Sequence, residues 1–344
     1  MGGDLLARDM LPQSELVTEQ HAISRARYPA VDSHNHLQLS TLEDRNQLAA
    51  LVDIMDSVNV RSVVNLSGGS GEALGRALDA CDRGYPGRFV TFCNLDWSGV
   101  GCQEWADNAC RQLRSDIARG ARGLKVFKSL GLTYRDTDGK LLLPDDPRIA
   151  DVWDQAGALG VPVLIHTADP VAFFRPLDGR NERWDELQRH PDWHFYGGDY
   201  PSFEELLTSL YRTIESHPET TFITAHVGCY PENLGFVSAM LDRYANLYTD
   251  ISARFAELGR APFSARRWFV RYADRILYGT DMTPTTEMYR VTFRFLETQD
   301  EYFDYAPWAV IPPQGRWKIY GVGLPDDVLG KVYHDNAARL LGLA

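Results

Sequence analysis

The chain has 344 residues, of which 44% are hydrophobic and 24% charged, the usage of a globular protein with material for one sizeable core. Its formal net charge of -12, with no basic run to offset it, excludes nucleic acid and anionic membrane as expected partners. The five cysteines, Cys81, Cys93, Cys102, Cys110 and Cys229, are odd in number and never spaced Cys-x-x-Cys, which argues against a disulfide framework.

In chain order, residues 1 to 27 read as an arm packed on the outside of the main domain. Asp4 and Asp9 stand where a secretory signal would carry positive charge, and Leu6 stands where a myristoylation motif needs Ser or Thr. No run approaches transmembrane length, so a cytoplasmic protein is expected. Strand-like apolar runs then occur at roughly 29 to 34, 60 to 66, 88 to 94, 122 to 128, 161 to 166, 221 to 227, 246 to 252 and 274 to 280. Helical patterns fall between them, at 42 to 58, 71 to 83, 103 to 119, 149 to 159, 203 to 216 and 231 to 244. Strands alternating with helices imply right-handed crossovers and a parallel sheet, and eight such units close into an α/β barrel of the TIM type spanning 28 to 344.

Two stretches exceed ordinary loop length. The first, about 167 to 201 after the fifth strand, is rich in aromatic and charged residues and reads as a lid or substrate wall that distorts the barrel, with a dimer contact as the alternative. The second, 283 to 323 after the eighth strand, could do either job. A homodimer is expected on that basis.

Several strands end in metal-capable residues. The first runs into Asp32-Ser33-His34-Asn35-His36, and positions two apart in a strand point to the same side, so both imidazoles can reach one cation. The fifth ends at His166, the sixth at His226 and the eighth at Asp281. In a barrel the C-terminal strand ends converge on one face, so these residues meet although far apart in sequence. Imidazole with carboxylate suits Zn2+ first, and Mn2+ or Fe2+ as well, whereas calcium or magnesium would call for an all-oxygen set.

This order and spacing resemble the amidohydrolase superfamily, in which His-x-His closes the first barrel strand, single histidines close the fifth and sixth, and an aspartate closes the eighth. The long loop after His166, the Thr-Ala-His-Val-Gly sixth strand and the Tyr-Gly-Thr-Asp eighth look like the amidohydrolase-related branch, which contains aminocarboxymuconate-semialdehyde decarboxylase and other decarboxylases alongside hydrolases. The resemblance implies one divalent ion held by His34, His36, His166 and Asp281. In related branches a lysine placed like Lys125 is carboxylated and bridges two metals, so a second ion, with His226 as a further ligand, is the binuclear alternative. Here one metal is favoured, with Lys125 beside it.

Metal-activated water then makes a hydrolase of a small ester, lactone or amide, with Asp281 moving the proton and His226 contacting the carbonyl or developing oxyanion. Lys125, Lys128 at the fourth strand end, Arg254 after the seventh strand and Arg175 in the long loop are the candidate contacts to a substrate carboxylate. Non-oxidative decarboxylation or hydration of a small aromatic or unsaturated acid by the same groups is the alternative. A metal-binding scaffold that has lost its chemistry is the third reading. No Gly-x-Gly-x-x-Gly, phosphate loop or Gly-x-Ser-x-Gly competes.

Overall fold

The computed structural model describes residues 6, 9–37 and 39–343, with the side chains of 39 and 40 left aside. The readings made on residues 1 to 9 therefore fall, apart from Leu6 and Asp9, outside the described residues. Among the described residues eight strands alternate with helices: β1 (Ala30–Asn35), β2 (Val60–Asn65), β3 (Phe89–Thr91), β4 (Leu124–Val126), β5 (Val163–Ile165), β6 (Phe222–Thr224), β7 (Leu247–Asp250) and β8 (Ile276–Leu277). Every ladder is parallel, in the orders β1-β2-β3 and β4-β5-β6-β7-β8. Cys93 bridges to Leu124 at one junction between the two sheets. At the other, the Ser33 N–H donates to the Tyr278 carbonyl at 2.9 Å. The architecture is the α/β barrel of the TIM type.

All eight strands lie where the apolar runs predict, but the ladders are shorter. The eighth ends at Leu277, before Asp281, and beyond it the chain still bonds β1, the Tyr278 carbonyl accepting from the Ser33 N–H and the Asp281 N–H donating to the His34 carbonyl. A Cβ on Gly279 would lie 2.9 Å from the His34 Cβ and 3.1 Å from the His34 nitrogen, so only glycine permits this approach. The pattern at 42 to 58 is likewise two helices, Leu39–Glu43 and Arg45–Val58. The Asp44 side chain accepts from the Asn46 N–H and starts the second helix as its N-cap.

Alternation along the strands sorts the core into two layers. Val31, Val64, Val90, Leu164, Ile223 and Leu277 fill the barrel, and the C-terminal helix Asn336–Leu341 turns Ala337 and Leu341 to the same cluster. Leu124, Val126, Val163, Ile165 and Phe222 face the surrounding helices. Lys125 has the opposite parity to Leu124 and Val126, so it points into the barrel. The helix Phe203–Ser216 shows how the outer layer is built. Ser202 and Glu205 form a capping box, and Phe203, Leu206, Leu207, Leu210, Tyr211 and Ile214 bury one stripe, each large side chain contributing roughly 1.5 to 3 kcal/mol.

The stretch after β5 is ordered by its own apolar contacts: Phe173, Phe174 and Phe195 are buried. Within it, the buried Arg183 bonds Glu186 at 2.8 Å, pairs with Glu257 from the segment after β7 and lies over the Trp317 ring. No helix among the described residues is long and apolar enough to cross a membrane.

The N-terminal residues are tied down by charge. The His21 backbone N–H and its Nδ1 both meet Asp300, at 2.7 and 2.5 Å. The hydrogen bond to Asp300 raises the His21 pKa above its usual value. The stability this pair contributes is therefore full below the unfolded histidine value, about 6.5, and is lost as pH rises through the higher folded value. His21→Ala should lower the melting temperature clearly at pH 5.5 and little at pH 9. An equal loss at both pH values would show that the ion pair contributes nothing.

Candidate metal centre

His34 lies near the end of β1, fully buried. Its Nδ1 is 2.7 Å from Asp250 Oδ2 and 3.0 Å from the Ser252 hydroxyl. A carboxylate can only accept from an imidazole N–H, so this contact places the proton on Nδ1 and leaves the Nε2 lone pair free. That Nε2 faces Asp281 Oδ1 at 3.9 Å and the Lys125 ammonium at 3.4 Å. His226 repeats the logic: its Nδ1 lies 2.9 Å from the Ser252 carbonyl, and its Nε2 lies 3.6 Å from Asp281 Oδ2. His36 bonds Ser67 through Nδ1 at 2.8 Å and turns Nε2 to Asp281 Oδ1 at 3.6 Å. Three imidazole nitrogens thus converge on one carboxylate.

His166 stands next to His226, with ring centroids 4.3 Å apart. Its Nε2 is buried without a hydrogen-bond partner, 3.3 Å from Asp169 Oδ1 but off the direction a hydrogen bond requires. A buried ring nitrogen left unpaired fits a site that takes a further group.

Among the described residues two sets bring ligand atoms within 4.8 Å of one another: His34, His36 and Asp281, and His34, His226 and Asp250. Asp250 is already committed. It accepts from the His226 N–H at 2.9 Å, the Ser252 N–H at 3.0 Å and the Ser252 hydroxyl at 2.5 Å, besides His34. The set with Asp281 is the better cation site, because no hydrogen bond engages its carboxylate side chain, and of its Nε2 atoms only that of His34 has another contact, the Lys125 ammonium at 3.4 Å.

Burial sets the charge states. It pushes His34 and His226 well below the usual histidine value, His36 to about 3 and His166 to about 4, so all four are neutral at pH 7. Neutral imidazole is the form that binds metal. Burial also raises Asp281 to about 7, against the pull of Lys125, and lowers Lys125 to about 8. The backbone is bent to make this cluster. His226, Val227, Cys229, Ala253 and Asp281 all have φ between 51 and 60°, the left-handed region that side chains other than glycine rarely adopt. His226 is thus in a turn rather than at an extended strand end, held there by Asp250. Asp281 is held by its own N–H to the His34 carbonyl at 2.7 Å, and Thr280 is clamped on the buried Asp32 through N–H and hydroxyl at 2.9 and 2.6 Å.

The structure thus brings together His34, His36, His166, His226, Asp281 and Lys125. Lys128 and Arg254 stand beside this cluster, on Asp169. Lys128 Nζ bonds Asp169 Oδ2 at 2.5 Å beneath the Trp193 ring, and Arg254 lies 3.9 Å from Asp169 Oδ1 with its Nε buried and unpaired. Burial opposes ionisation of Asp169, yet the Lys128 ammonium beside it holds its carboxyl well below the usual range. Arg175 is apart from the site: it is exposed and pairs with Glu204 at 3.4 Å. Residue patterns alone missed Asp250, Ser252 and Asp169. The signal for Asp250 was available, since Leu247-Tyr248-Thr249-Asp250 is another apolar-rich strand ending in a carboxylate.

The sequence profile of the family described as Amidohydrolase matches residues 31–343. The chain belongs to the amidohydrolase family. No curated protein matches it. Among solved structures, it is similar to a dihydroxybenzoic acid decarboxylase from a Polaromonas species with bound manganese and 2-nitroresorcinol, at 16% identity and TM-score 0.58, over 92% of this chain and 97% of that one. It is also similar to the 2,6-dihydroxybenzoate decarboxylase of Rhizobium, at 18% identity and TM-score 0.57, over 92% and 99% of the two chains. A third is a protein from Pseudomonas putida provisionally assigned as a 2-pyrone-4,6-dicarboxylic acid hydrolase, at 13% identity and TM-score 0.54, over 92% and 98%. At these identities the likeness shows the barrel.

Asp250 bonds the His34 ring and the His226 backbone, so it orients the first and holds the turn that carries the second. Asp250→Ala should weaken divalent-ion affinity about 10- to 100-fold, the usual effect of removing the partner that orients a metal-binding histidine. Titration of the metal-free protein with Zn2+ or Mn2+ checks this, and unchanged affinity would remove Asp250 from the site.

Proposed function

We propose that this chain is a divalent-metal-dependent hydrolase of an ester, lactone or amide bond in a small carboxylate-bearing molecule. The observation that carries the reading is the convergence of the His34 and His36 Nε2 atoms on the Asp281 carboxylate, with the buried His166 Nε2 left unpaired. His34, His36, His166 and Asp281 would hold one ion, zinc by donor chemistry, with manganese supported by the ion bound in the Polaromonas structure. When bound, it supplies Lewis-acid polarisation and makes water acidic enough to attack at neutral pH.

The remaining steps belong to the protein. Asp281, whose carboxyl is part-exposed to the barrel mouth, takes a proton from water and returns it to the leaving group. The Ser252 carbonyl holds the proton of His226 on Nδ1, so His226 offers a lone pair and not the N–H that an oxyanion contact would need. The ammonium of Lys125, which points into the barrel 3.4 Å from His34, is better placed to stabilise developing negative charge. Arg254 and Lys128 would hold the substrate carboxylate, and Arg175 has no part in this scheme.

Non-oxidative decarboxylation is the second reading, favoured by the decarboxylases among the similar structures, with Asp281 as the group that would carry a proton to carbon. A panel of lactones, amides and hydroxybenzoates, run on metal-loaded protein, separates the two.

Elemental analysis should find about one divalent transition ion per chain, and His34→Ala and His166→Ala should lose it. Asp281→Asn should retain part of the metal and lose turnover by roughly two to four powers of ten. Full metal and full activity in all three variants would rule the site out.

A further inference from the structure

Asp281 lies beyond the end of β8 at Leu277 and holds φ at 51°. A residue other than glycine stays in that region only where its surroundings over-determine it. The Asp281 N–H donates to the His34 carbonyl at 2.7 Å, which fixes one point of the turn. The pairing of β1 with β2 is itself irregular between Asp32 and Asn35, across the residue His34. Strand pairing thus leaves the placing of Asp281 against His34 and His36 to side chains, and two residues beside those histidines supply them.

Asp32 is fully buried, and among the described residues no cation pairs with it. Its Oδ1 accepts from the Thr280 N–H at 2.9 Å and lies 3.4 Å from the His34 N–H. Its Oδ2 accepts from the Thr280 hydroxyl at 2.6 Å, the Tyr289 hydroxyl at 3.0 Å and Asn35 Nδ2 at 3.2 Å. Asn35, also buried, donates from the same nitrogen to the Met282 carbonyl at 3.0 Å. The residues on either side of Asp281 are therefore both tied to side chains of β1. Tyr289 comes from the helix Thr286–Glu297, in the long stretch after β8, where its buried ring stacks on Phe293.

Resting on the reading of His34, His36, His166 and Asp281 as metal ligands, we propose that Asp32 and Asn35 are positioning residues of the metal centre. They hold Asp281 in its left-handed turn with the carboxylate toward His34 and His36, and Tyr289 completes the donors around Asp32. Through that buried hydroxyl the long stretch after β8 supports the site from behind. A carboxylate is needed at position 32 because one of its oxygens takes three donors. An amide of the same shape would set an NH2, which can only donate, among donors or give up the Thr280 N–H.

The test titrates the metal-free full chain with Co2+, records the visible spectrum of the Co2+-loaded protein, and follows amide hydrogen exchange of the metal-free protein. Asp32→Asn and Asn35→Ala should each weaken Co2+ affinity about tenfold or more, alter the spectrum at saturating Co2+, and speed exchange around residues 280 to 282. Tyr289→Phe keeps the ring and removes one donor, so it should move all three readouts the same way by less, and it carries the test if the other two variants do not fold. Thr220→Val is the control: Thr220 precedes β6 at the opposite end of the barrel, and its buried hydroxyl donates to the Trp153 carbonyl at 2.7 Å. It should lower the melting temperature and leave Co2+ affinity and spectrum unchanged. Affinity, spectrum and exchange like the parent's in the folded variants, or changes no larger than those of Thr220→Val, overturn the proposal while the metal reading stands. If the parent takes up no ion, the metal reading fails, and the hold on Asp281 is upheld by faster exchange in Asp32→Asn and overturned by unchanged exchange.

Discussion

The carboxylate of Asp250 is the contact on which the site depends. It accepts from the His226 backbone, from Ser252 and from His34 Nδ1, all inside the barrel. An isolated buried carboxylate would be costly, but this one is surrounded by donors. By accepting the hydrogen bond of His34 Nδ1–H and holding the His226 backbone, Asp250 helps set two imidazoles with their Nε2 atoms toward Asp281. A donor-accepting group is thus placed so that nitrogens are presented outward, and the cluster becomes a place where a cation is attracted.

This arrangement has a backbone cost. Five non-glycine residues around β6, β7 and β8 adopt left-handed conformations, each costing on the order of 1 to 3 kcal/mol. The barrel can bear this because its two-layer core and capped outer helices stabilise the scaffold independently of the loops at its mouth. Most of the left-handed non-glycine residues lie in the segments after β6, β7 and β8, where the chain turns sharply at the barrel mouth, while Asn59 and Tyr302 adopt the same region elsewhere. Gly279 belongs to the same economy of space: without a Cβ it lets β8 lie against His34.

Electrostatics divides the barrel mouth. Asp169 gathers Lys128 and Arg254 into a cluster of net positive charge beside His166, while the cavity on the other side is lined by His36 and Asp281 together with Leu37, Leu51, Ile54 and Met282. Buried Arg183 pairs with Glu186 on its own segment and with Glu257 after β7, and so ties the long segment after β5 to the next part of the rim.

Much of this molecule was legible in residue order. Alternating apolar runs specify parallel strands and crossover helices, because the periods of two and 3.6 are local properties of the backbone. Metal-capable side chains at strand ends follow from the same pattern, since a barrel gathers those ends on one face. His34, His36, His166, His226, Asp281 and Lys125 were found that way. The tertiary structure decided the rest. The proton positions on His34 and His226 depend on Asp250 and Ser252, more than 200 and more than 20 residues away respectively. The separation of Arg175 from Arg254 depends on where each loop packs, and the cavity over His36 and Asp281 depends on helix Arg45–Val58 meeting the segment after β8. These are long-range juxtapositions of side chains, and a one-dimensional pattern records which residues are available without recording which of them will face one another.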